Sequence, residues 1–123
     1  MLYSIDDLKH SIRRIPHKED YDGWRAGLLD QQYDAIMSEL NGLVDGEEVR
    51  TSSWLPPKGG WEGSVFQPIY ESACRRNYDA SGLFFGLLVW KMFMDRPDDW
   101  SFGRYEKDGI PIGGMTYFRI NRG

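Results

Sequence analysis

Two tryptophans, Trp54 and Trp61, bracket a Pro/Gly loop in the middle of the chain: Trp54-Leu55-Pro56-Pro57-Lys58-Gly59-Gly60-Trp61. Phe66 and Tyr70 follow at helical spacing. Large aromatics on a loop are either pinned onto a core or used to grip a partner. Charged groups stand close by in sequence: Lys58 and Glu62 within the segment, Arg75 just beyond it, and Arg104 further on. The set Trp54, Lys58, Trp61, Glu62, Phe66, Tyr70, Arg75 and Arg104 is therefore the candidate ligand or partner contact, with Trp90, Tyr105 and Tyr117 as further aromatics for the same concavity. Apolar walls with a few polar groups describe a ligand pocket. The same residue types also anchor protein interfaces.

The remaining chemistry is thinner. Cys74 lies beside Arg75 and Arg76, which favour a thiolate, but a cysteine nucleophile needs a histidine base. The two histidines, His10 and His17, are far from it in sequence. His10, His17, Glu19, Asp20 and Asp22 follow no ligand spacing of a zinc site. Asp20-Tyr21-Asp22-Gly23 lacks the third acid and closing Glu of a calcium loop. Pro57-Lys58-Gly59-Gly60 is not a phosphate-binding loop, because its glycine spacing is wrong and no Ser or Thr follows the lysine. Glu62 would act as an acid only if the neighbouring indoles enclosed it and raised its pKa. Glu71 is expected to be exposed or to pair with Arg75 one turn on. No catalytic residue, metal or cofactor is expected.

Elements that would position these residues follow from periodicity. Ser4-Ile5-Asp6-Asp7 resembles a capping box, and Ile5, Leu8, Ile12 and Ile15 share a face, so a first helix is expected from near Ile5 until Pro16. Residues 17–23 read as a polar loop. A second helix is expected from Trp24 or Asp30 to Val44, on the stripe Tyr33, Ile36, Met37, Leu40 and Val44. Residues 48–55 alternate as a strand, and 66–76 read as a third helix. Asp79 or Ser81 is expected to cap a fourth helix reaching Asp95. That helix is apolar almost all round and therefore central. Gly82 and Gly86, one turn apart, predict close approach of another element. Residues 100–105 and 112–120 read as two strands joined through Asp108-Gly109, a strong hairpin signal. The layout is a single α+β domain over residues 1–123, with about four helices packed on a small antiparallel sheet that ends in a C-terminal hairpin.

Composition narrows the function classes. A length of 123 residues fits one domain with a real core. The net charge of −4 disfavours general binding to nucleic acid or anionic membranes, whose phosphates demand a cationic face. Arg13-Arg14 and Arg75-Arg76 are short, with acids a few residues away, so they read as solvated surface. No apolar run is long enough to cross a bilayer. The first residues lack the cationic and apolar stretches of a secretory signal, and one cysteine permits no intrachain disulfide, so a cytoplasmic location is expected.

The aromatic share of 15% exceeds what a small core needs, which leaves aromatics for a subunit or partner contact. The expected function is therefore a non-enzymatic interaction protein, a homodimer or the binder of a protein partner. The alternative is a small-molecule-binding domain or minor enzyme using residues 54–70, with Arg50, Arg75 or Arg104 opposite an anionic ligand.

Overall fold

A computed structural model describes residues 1–51, 61–103, 106–107, 110–111 and 115–121. The architecture is α+β: helices precede and pack on a small antiparallel sheet. Helix α1 spans Lys18–Ala26 and α2 spans Asp30–Val44. Strand β1 is Val49–Thr51, a single π-helical turn occupies Ile69–Ala73, and α3 runs Tyr78–Asp95. Four short strands follow: β2 (Trp100–Gly103), β3 (Glu106–Lys107), β4 (Ile110–Pro111) and β5 (Thr116–Arg119).

The sheet order is β1-β5-β2, antiparallel throughout, with Val49 opposite Phe118 and Phe102 opposite Tyr117. β3 and β4 form their own two-stranded ribbon, as the Asp108-Gly109 signal led one to expect. The expected strand residues beyond Thr51 lie outside the described residues, as does the Asp108-Gly109 step itself.

α3 is the central element. Phe84, Phe85, Leu87, Leu88, Val89, Met92 and Phe93 are all buried along it. Its N-cap is Asn77, whose side-chain oxygen accepts the Ala80 N–H at 2.9 Å, rather than Asp79 or Ser81. That bond satisfies one of the orphan donors of the first turn. Near its C-terminal end, Phe93 stacks on Tyr117 with ring centroids 4.1 Å apart and meets Trp100 at 4.8 Å. α2 buries Ile36, Leu40 and Val44, the expected stripe. At its start the Leu29 N–H donates to the Gln32 side chain at 2.9 Å, half of a capping box.

Three local expectations are corrected. The first sixteen residues are not helical. Leu2 forms a parallel bridge to Trp100, Tyr3 N–H donates to Trp100 O, and Ile12 N–H donates to Leu2 O. Ser4 and Asp7 close a tight turn instead of a capping box. Backbone groups satisfied by β2 cannot also close helical turns. Only Ile12 and Ile15 of the expected apolar face pack on the core, and Ile5 is 57% exposed.

The polar stretch expected as a loop at 17–23 is largely α1, which buries Tyr21 and little else. Finally, nothing crosses closely over Gly86, where an added Cβ would meet no atom within 4 Å.

A close approach does occur at Gly27. A Cβ there would lie 2.9 Å from the Ala73 Cα, a backbone atom with nowhere to go. Gly27→Ala is therefore expected to push α1 and the π-helical turn apart and to cost about 1–3 kcal/mol, as overpacking does. Urea denaturation measures it, and a cost indistinguishable from zero would mean that this junction is soft.

Candidate functional site

The described members of the expected aromatic contact set do not form one surface. Trp61 is 2% exposed and lies inside the core, 5.1 Å from Phe85 and 6.1 Å from Phe66 by ring centroids. Phe66 is equally buried and meets Phe85 edge-on. These three rings close the core beneath the N-terminal half of α3, so Trp61 and Phe66 are packing residues rather than contact residues. Tyr70 is half-buried against the same core, and Glu62 is exposed rather than enclosed by indoles. Trp90 packs on Phe102 and donates its indole N–H to Arg14 O, and Tyr117 belongs to the Phe93 stack. Trp54, Lys58, Arg104 and Tyr105 lie outside the described residues.

The apolar surface that remains open is on α3. Among the described residues, the ring contacts between the helix and the sheet come from its C-terminal half, at Trp90 and Phe93. One helical face of the N-terminal half carries Tyr78, Gly82, Gly86, the exposed Asp79 and Leu83. Tyr78 and Leu83 are more than half exposed, and Leu83 at 61% is among the most exposed large apolar side chains. Beside Leu83 a groove of about 180 Å³ runs between α1 and α3, lined by Trp24, Leu83 and Leu87 with His17 and Asp20. His17 holds a left-handed backbone (φ 52°) at the N-cap of α1. From the sequence, α3 reads as central with elements packed on more than one side, and Gly82 and Gly86 as a line of close approach; at Gly86 that line is bare.

A second concavity of about 480 Å³ separates the end of α1 from the π-helical turn. Gly23, Trp24, Ala26 and Gly27 line one wall and Ser72, Ala73, Cys74 and Arg75 the other. The turn was expected as an ordinary helix over 66–76. Its extra residue per turn is followed by Arg75 and Arg76, both in the left-handed region (φ 51° and 65°). The displaced register changes the ion pairing: Glu71 accepts from Arg76 at 2.8 Å, not from Arg75. Arg75 is exposed. The Cys74 thiol is buried, and desolvation pushes its pKa up while a hydrogen bond with Ser81 opposes the shift. A raised pKa is the reverse of what a nucleophilic cysteine requires.

Among the described residues, no three His, Cys, Asp or Glu side chains converge on a point that could hold a metal ion. No helix among them is long and apolar enough to cross a membrane. Comparison with protein-family models, with curated proteins and with solved structures gives no match.

Proposed function

We propose that the protein is a non-enzymatic interaction protein that acts as a homodimer in the cytoplasm, with the open face of α3 as the subunit contact. The observation that carries this reading is Leu83, a large apolar side chain left in water beside the bare backbone of Gly86 on a helix that buries most of its other large apolar side chains. Soluble proteins leave few such faces without a use.

The face also has the shape a two-fold contact needs. Such a contact is self-complementary, so the same patch must carry both projection and recess. Leu83 and Tyr78 project, and Gly86 recedes. Two α3 helices packed across an axis near Leu83 would set each Leu83 over the partner's Gly86, and glycine allows the backbones to come close. The aromatic surplus thus supports the interface from beneath instead of forming it. A single buried, unpaired Cys74 agrees with a reducing compartment.

Sedimentation equilibrium tests the reading. The wild type is expected at twice the chain mass. Leu83→Lys, which places a charge at the centre of the contact, is expected to weaken association at least about tenfold, equivalent to about 1.4 kcal/mol. Leu83 is exposed, so this variant is expected to fold normally. A wild type that stays monomeric at tens of micromolar, or a Leu83→Lys protein that dimerises as tightly as the wild type, overturns it.

A further inference from the structure

The cleft between α1 and the π-helical turn has properties that dimerisation does not use. Its shape is preformed, because the Gly27–Ala73 contact holds α1 against the turn with no room for even a methyl group. Its walls are mostly glycine, alanine and serine, so a ligand would meet backbone more than side chain.

Two polar groups stand unused there. Arg75 has no hydrogen-bond or ion-pair partner among the described residues, since its neighbour Arg76 takes Glu71. On the same wall, the Ser72 carbonyl accepts no backbone N–H among the described residues, because the chain leaves the π-helical turn with Arg76 N–H returning to Tyr70 O and Asn77 N–H to Cys74 O. A left-handed conformation at two successive arginines is costly, and strain of this kind tends to be kept where it aims a group at a ligand.

We infer that this cleft binds a small zwitterion of the amino-acid class, with its carboxylate on Arg75 and its ammonium on the Ser72 carbonyl. A guanidinium pairs with a carboxylate through two parallel N–H···O bonds. The free carbonyl accepts from an N–H donor, which a simple anion lacks. The C-terminal ends of α1 and of the π-helical turn meet at the cleft, and the partial negative charge of helix C-termini opposes a doubly charged phosphate. The site is independent of the dimer contact, and its failure would leave that reading intact.

The test is an amide-shift titration of the full ¹⁵N-labelled chain by NMR with L-alanine and L-glutamine, and with acetate and inorganic phosphate as controls. Expected are saturable shifts at the amides of Gly23, Gly27, Ser72 and Arg75 with an amino acid. Acetate should bind at least about tenfold more weakly, the loss of one charged hydrogen bond. Arg75→Asn should abolish saturation and keep the fold, because asparagine is at home in the left-handed region. Ala26→Phe should fill the cleft from α1 and have the same effect. Absence of saturation with either amino acid, tighter binding of phosphate, or binding retained in both variants overturns the proposal.

Discussion

Truncating Phe93 to alanine is expected to cost about 3–5 kcal/mol. Phe93 is fully buried and lies flat on Tyr117, with planes 14° apart, while its edge meets Trp100. It is therefore the joint at which α3, β2 and β5 come together. Truncation leaves a cavity bounded by two rings whose backbones are fixed by the sheet, so the site has little freedom to collapse. A domain of this size is stable by only about 5–15 kcal/mol, and the loss would consume a large part of that margin. Urea denaturation followed by tryptophan fluorescence gives the number. A cost below about 1 kcal/mol would mean that helix and sheet are held together elsewhere.

The second large effect is expected at Arg96, the buried residue that ends α3. Its Nε and Nη2 donate to Asp98, its Nη2 also to Asp45 at 2.9 Å, and its Nη1 to the Asn41 side chain at 2.8 Å. One guanidinium thus ties the end of α2 to the connection between α3 and β2. Arg96→Met keeps the apolar stem but leaves Asp98 and Asn41 without their donor. The expected cost is about 2–4 kcal/mol, because partners stranded in a partly buried place lose more than the net worth of their bonds.

The same cluster predicts a pH dependence. Hydrogen bonds from Arg96 hold the Asp98 carboxyl below its ordinary pKa of 3.8. A depressed folded-state pKa means that the unfolded chain binds the proton first. Its contribution to stability is therefore complete above the ordinary value and is lost as pH falls below it. Wild-type denaturation midpoints should drop between about pH 4 and 2, and part of that slope should vanish in Arg96→Met. An identical acid slope in both proteins would remove Asp98 from the account.

The legible parts of this fold are those in which one physical demand dominates. α3 is apolar on nearly every side, and only a central helix satisfies that pattern. The α2 stripe and the Asp108-Gly109 hairpin signal are equally local. The first sixteen residues mislead because their apolar spacing suits a helix, while the decisive interaction is the pairing of Leu2 and Tyr3 with Trp100, a partner almost the whole chain away. α1 is hidden for the opposite reason: it is short and polar, and its apolar face is little more than Tyr21 and Trp24, both packed on Phe84.

At the candidate sites the limits are sharper. Trp61 and Phe66 carry no local mark of being core rather than surface, since an indole suits both. The π-helical turn differs from an ordinary one by a single residue of register, too fine for periodicity to detect. That residue nonetheless moves Glu71 from Arg75 to Arg76 and leaves Arg75 beside the cleft.

The middle strand of the main sheet, β5, is also the last of its three strands in chain order. β1 and β2 have no hydrogen bonds to each other and meet only through it. On the ribosome the helices can coil as they emerge, but Phe93 and Trp100 lack the Tyr117 ring until residues 116–119 appear. Non-local pairing of this kind is slow to form and leaves apolar surface open in the meantime. A nascent chain stalled before β5 keeps that surface open, and deleting residues 116–119 removes the keystone of the sheet rather than its edge.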